Sequence, residues 1–107
     1  MSIQDKIREQ VKGHHVVLYM KGTPQFPQCG FSAKAVQVLK ACGVTKFESV
    51  NVLAEPEIRA GIKDYANWPT IPQLFINGEF IGGSDIMMEM YQAGELQQKL
   101  TGIAKAA

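Results

Sequence analysis

Asn77-Gly78 lies between two short runs of strand formers, Leu74-Phe75-Ile76 and Phe80-Ile81. This dipeptide is the strongest short hairpin signal a sequence can carry, because both positions of the two-residue turn require positive φ. The later part of the chain is thereby committed to an antiparallel strand pair. Well before it, Val16-Val17-Leu18-Tyr19-Met20 forms a continuous apolar run rich in strand formers. Such a run suits a central strand covered on both faces.

Helical patterns fill the intervals. Ser2, with Asp5 three residues on, can cap a first helix whose Ile3, Ile7 and Val11 share a face, and Gly13 ends it. Lys21-Gly22-Thr23-Pro24 through Pro27 reads as a loop punctuated by Gly and Pro. From Cys29 onward, Ala35, Val38, Leu39 and Cys42 keep helical spacing until Gly43. Phe47 to Val52 reads as a second strand. Pro56 suits the first residue of a third helix with Ile58, Ile62 and Tyr65 on its inner face. Trp68-Pro69-Thr70-Ile71-Pro72 is a rigid connection. Ser84 can cap a fourth helix carrying Ile86, Met87, Met90 and Tyr91, and Gly94 ends it. Leu96, Leu100 and Ile103 line a last helix. The order is α-β-α-β-α-β-β-α-α. A β-α-β unit makes its strands parallel, and the hairpin adds an antiparallel pair. The expected fold is α/β, a four-stranded mixed sheet flanked by helices on both faces.

Bulk properties narrow the function. The 107 residues suit one domain, spanning 1–107, and 46% are hydrophobic, enough for a core. Eleven basic and ten acidic residues leave a net charge of +1. That balance offers neither a nucleic-acid footprint nor a polybasic membrane attachment. The longest apolar run, His15 to Met20, is far too short to cross a bilayer. The start, Met1-Ser2-Ile3-Gln4-Asp5-Lys6, is mixed and charged, and resembles neither a secretory signal nor a transit peptide. Two cysteines are too few for a disulfide scaffold, which points to a reducing compartment, the cytoplasm. A mature organellar form that has lost its leader remains open.

The two cysteines read differently. Cys29 falls at a strand–loop–helix transition, where free backbone N–H groups and the helix dipole favour an anion. A thiolate is such an anion, so its pKa is expected to fall. Lys21, at the end of the preceding strand, adds a positive charge. Cys42 lies on the apolar face of the same helix and reads as a structural core thiol. Thirteen helical residues separate the two by roughly 20 Å, and a disulfide needs Cα atoms within about 7 Å. Position 32 is Ser, so Cys29-Gly30-Phe31-Ser32 is no C-x-x-C pair. Any mixed disulfide on Cys29 must be released by an outside thiol. His14 and His15 lack ligand spacing, and Met87, Met88 and Met90 read as core and helix surface.

Cys29-Gly30-Phe31-Ser32, preceded by Lys21-Gly22-Thr23-Pro24, resembles the active-site signature of the monothiol glutaredoxins. Trp68-Pro69-Thr70-Ile71-Pro72-Gln73 and Gly82-Gly83-Ser84-Asp85 stand where that family has its other two motifs. The resemblance covers nearly the whole chain and implies a thioredoxin-like fold. It implies that glutathione lies across the helix N-terminus as an extended peptide. Lys21 would pair with its glycine carboxylate, and Arg59 would reach the same end with a fork suited to carboxylates. Thr70 and Ile71 would offer backbone hydrogen bonds, like an added strand. Pro72 is expected to be cis. Gly83, Ser84 and Asp85 would hold the γ-glutamyl end, Ser84 and Asp85 at its amine and carboxylate. Taken singly, Lys21 and Arg59 would pass for solvated surface cations, and Trp68 for a packed aromatic. Two positions depart from the family pattern. Ser84 stands where many relatives have Cys, and Ile71 where an aromatic or Val is common.

The resemblance implies one thiol with two uses. A [2Fe–2S] cluster ordinarily takes four thiolates. Cys29 from each of two chains and two glutathione molecules complete that set, giving a glutathione-bridged homodimer. Such a dimer would serve iron–sulfur cluster storage and transfer and iron homeostasis, with a BolA-like protein and iron–sulfur acceptor proteins as partners. The alternative is a glutathione-dependent oxidoreductase in which Cys29 reduces glutathionylated proteins, at most weakly. The loop around Gln25-Phe26-Pro27 is the candidate cause of that weakness, by misplacing the second, attacking glutathione.

Overall fold

The computed structural model describes residues 2–102. The element order is α1 (Ile3–Gly13), β1 (Val16–Met20), α2 (Gly30–Ala41), β2 (Glu48–Asn51), α3 (Pro56–Ala66), β3 (Gln73–Ile76), β4 (Glu79–Gly82), α4 (Ser84–Gln92) and α5 (Glu95–Leu100). The four strands form one sheet in the order β2-β1-β3-β4. β1 runs parallel to β2 and antiparallel to β3, and β3 runs antiparallel to β4. This is the mixed sheet expected, and it is a thioredoxin-like arrangement.

Alternation along β1 divides the core in two. Val16, Leu18 and Met20 face α2, α4 and α5, packing on Ala35, Leu39, Met87, Leu96 and Leu100. Val17 and Tyr19 face α1 and α3, packing on Ile7, Val11, Ile58 and Ile62. All five β1 residues are buried, which is why the run is uniformly apolar rather than alternating. At the hairpin, Asn77 and Gly78 take φ of 51° and 81°, the positive pair that the turn requires. The Ser2 hydroxyl accepts from the Asp5 N–H at 3.1 Å, so the cap of α1 forms as read.

Three expectations shift. Ser84 is not the cap of α4 but its first residue. Gly83 is the N-cap, and it makes no side-chain cap bond. A Cβ at Gly83 would stand 3.3 Å from the Pro72 carbonyl oxygen, a tight contact at the cap position. Gln73, placed in neither the connection nor the strand, opens β3 and is fully buried. Cys42 is half-buried at the C-cap of α2, packed against the core rather than within it. Ile103 lies outside the described residues.

Candidate functional site

The loop from β1 to α2 is folded on itself. Gly22 takes φ of 90°, and Thr23 and Phe26 exchange backbone hydrogen bonds of 3.2 and 3.0 Å. The Gln28 N–H returns to the Lys21 carbonyl at 2.9 Å. The Asn51 side chain, at the end of β2, anchors this turn. Its Oδ1 accepts from the N–H of Gly22 at 2.9 Å and of Leu53 at 3.1 Å. The chain then delivers Cys29 as the N-cap of α2, in extended conformation.

Cys29 is partly exposed and unpaired with Cys42. Hydrogen bonding from the backbone of Ser32 chiefly holds its thiol below the ordinary range. The Phe31 backbone, the Ser32 side chain and the charge of Lys21 add to this, and partial burial opposes it. Ser32 itself is fully buried, and its Oγ accepts from the Lys21 N–H at 3.0 Å. One small hydroxyl therefore fastens the end of β1 to the first turn of α2. Phe26 and Phe31, three residues before the thiol and two after it, are 75% and 60% exposed.

Beside the thiol lies a cavity of about 390 Å³. Lys21, from the end of β1, and Phe31, from α2, wall one side. Arg59 and Lys63 come from α3, Trp68 through Pro72 from the connection to β3, and Gly83 through Ile86 from the start of α4. All eight residues expected to hold a ligand (Lys21, Arg59, Thr70, Ile71, Pro72, Gly83, Ser84 and Asp85) are in this one wall. Cys29 is not part of the wall but adjoins it through Phe31 and Lys21. Three cations face one acid, Asp85. The Ile71–Pro72 bond is cis. The side chain of Ile71 is buried in the α1/α3 core, so what it presents to the cavity is backbone. Among the described residues no backbone hydrogen bond of a turn or loop engages the N–H of Thr70 or Ile71. The Trp68 Nε1, close against Gly83, is buried with no hydrogen-bond partner.

Comparison with known proteins agrees with this architecture. The family model described as Glutaredoxin matches residues 16–81. The chain belongs to the glutaredoxin family. Within it, the chain is a monothiol glutaredoxin. It is 57% identical over 95 residues to the "Uncharacterized monothiol glutaredoxin ycf64-like" of Synechocystis, covering 89% of this chain and 88% of that protein. It is 56% identical over 94 residues to Glutaredoxin 4 of Escherichia coli K12, covering 88% and 81%. The solution structure of reduced poplar apo GrxS14 superposes with a TM-score of 0.81 at 48% identity, over 99% of this chain and 95% of that one.

In this glutaredoxin, sequence reasoning missed Lys63, Phe31, Trp68, Pro69 and Ile86 as wall residues. Lys63 had a signal. It follows Arg59 by four positions on α3 and so must share its face. Phe31 carries none, since an aromatic in the first turn of a helix ordinarily packs inward. Among the described residues no three His, Cys, Asp or Glu side chains converge as metal ligands. No described helix is long and apolar enough to cross a membrane.

Proposed function

We propose that this monothiol glutaredoxin binds glutathione in the cavity beside Cys29 and, as a glutathione-bridged homodimer, carries a [2Fe–2S] cluster for storage and transfer. The observation that supports this best is the placement of a single acidified, partly exposed thiol at the rim of a cationic peptide-sized cavity. Glutathione is an extended peptide with two carboxylates and one amine. Lys21, Arg59 and Lys63 supply charge for the glycine carboxylate, and Arg59 can do so through two parallel N–H donors. The free N–H of Ile71 can receive the peptide as an added strand. Asp85, with the N-terminus of α4, suits the zwitterionic γ-glutamyl end.

The cluster enters as cargo. Cys29 is a lone thiol, and among the described residues no cluster of metal-binding side chains completes a ligand set around it. Two chains and two glutathione thiolates reach the four that a [2Fe–2S] cluster takes. Exchangeable small-molecule ligands favour a carrier over a fixed electron-transfer centre. The chain's own contribution is to hold each glutathione thiol beside Cys29 and to favour the thiolate form of Cys29. A cytoplasmic setting, a BolA-like partner, iron–sulfur acceptor proteins and a role in iron homeostasis follow from the same reading.

The lowered pKa of the Cys29 thiol favours a second reading, reduction of glutathionylated proteins. The Cys29 thiolate would attack the glutathionyl sulfur, releasing the target as a thiolate and leaving glutathione on Cys29. A second glutathione thiolate would then free Cys29 and depart as glutathione disulfide, so two glutathione thiols supply the two electrons. The Thr23–Phe26 turn lies next to this path.

Anaerobic incubation with iron, sulfide and glutathione distinguishes the readings. The protein is expected to become a brown dimer with visible absorption, and to stay colourless without glutathione or as Cys29→Ser. A colourless wild type that rapidly reduces a glutathionylated protein would replace cluster carriage with the oxidoreductase reading.

A further inference from the structure

Gln73 is the least expected residue of β3. It is polar, opens a strand of four buried residues, and is itself completely buried. A buried primary amide is tolerated when its donors are satisfied. Both of them are. The Nε2 donates to the Trp68 carbonyl at 3.0 Å and to the Thr70 carbonyl at 3.2 Å. Two carbonyl partners fix the orientation of the amide, because the flipped form would set oxygen against two oxygens. The Oε1 is left buried with no partner.

The segment held in this way belongs to neither helix nor strand. Its entry is tied by the Trp68 N–H to the Lys63 carbonyl, a C-terminal bond of α3. Between that bond and the first ladder pair of β3, Tyr19↔Gln73, the described hydrogen bonds to residues 68–72 come from Gln73 alone. The same residues form one wall of the cavity and carry the open backbone edge at Thr70 and Ile71.

We infer that Gln73 is a positioning residue, a two-pronged clip that fixes the curvature of Trp68–Thr70 and so sets the backbone edge on which glutathione docks. It never touches the ligand. It acts by presenting the edge already in its bound form, which spares the ordering cost of binding. The inference rests on the glutathione reading above.

Gln73→Met keeps length and volume and removes both donors. Calorimetric titration with reduced glutathione is expected to show on the order of tenfold weaker binding, a loss of about 1.4 kcal/mol. The pH dependence of Cys29 alkylation is expected to stay where it is in the wild type. Hydrogen–deuterium exchange of the free protein is expected to quicken at Trp68, whose N–H bonds the Lys63 carbonyl at the entry to the clipped segment, and not in the β1–β2 ladder. Gln73→Asn, which keeps a neutral amide but is one methylene too short to reach both carbonyls, gives the same comparison if the methionine variant does not fold. Wild-type affinity in both variants, or exchange that quickens evenly through the molecule, overturns the role of Gln73 and leaves glutathione binding standing. Failure of the wild type itself to bind glutathione overturns the binding reading, and the positioning role with it.

Discussion

Cys29 and Cys42 stand at the two ends of α2 and meet opposite surroundings. At the N-terminus, N–H groups from Ser32 and Phe31 and the charge of Lys21 favour the thiolate. At the C-terminus, burial pushes the Cys42 thiol up. At neutral pH iodoacetamide is therefore expected to label Cys29 well ahead of Cys42, as peptide mass spectrometry would show. The labelling rate of Cys29 is expected to rise with a midpoint below the ordinary thiol value of about 8.5, and that of Cys42 above it. The sign of the linked stability follows. A depressed folded-state pKa stabilises the fold most above the unfolded thiol's pKa, and that contribution fades as pH falls through the folded value. Equal labelling of both thiols at pH 7 would refute the assignment. At this scale the sequence disclosed Cys29 because a helix start is visible in spacing. It also pointed, through the family resemblance, to eight residues that the fold gathers in the cavity wall. It did not disclose Gln73, since a polar side chain gives no sign of being buried until its partners are known.

Among the connecting elements, the turn at Gly22 is the most tightly determined. Its φ of 90° is unfavourable for any side chain, and a Cβ there would stand 2.5 Å from the Phe26 carbonyl oxygen and 2.7 Å from the Gln28 nitrogen. Both obstacles are backbone and cannot swing aside. Gly22→Ala is expected to cost more than about 2 kcal/mol and to lower the melting temperature by roughly 10 °C. Gly13→Ala is the opposite case. That residue ends α1 without positive φ, and a Cβ there meets nothing within 4 Å. It is expected to gain about 0.4–1 kcal/mol by restricting the unfolded chain. Thermal denaturation followed by circular dichroism checks both, and an equal shift for the two would contradict the geometric account. Helices were legible here because apolar spacing survives in sequence, and Asn77-Gly78 announced its own turn. The start of α4 was not. Serine is a common cap, but glycine also fills that position, and here Gly83 takes the extended cap conformation one residue earlier.

Across the whole molecule, topology followed from two local facts, a β-α-β unit and a hairpin, and both held. The cavity did not follow from them. Its wall gathers the end of β1, the first turn of α2, one face of α3, the connection to β3 and the start of α4, and no local pattern encodes how such distant pieces meet. The same convergence places Trp68 in the wall, and Trp68 is the chain's single tryptophan. The protein thus carries one intrinsic optical reporter, built into the place where a peptide would dock. Adding glutathione is expected to change the emission of that indole saturably. In Arg59→Ala the midpoint should move to higher concentration while the emission of the free protein stays the same. A flat titration of a correctly folded sample would mean that the cavity takes up something other than this tripeptide. No dye, label or engineered probe is needed to find out, because any indole signal from this chain can come only from the cavity wall.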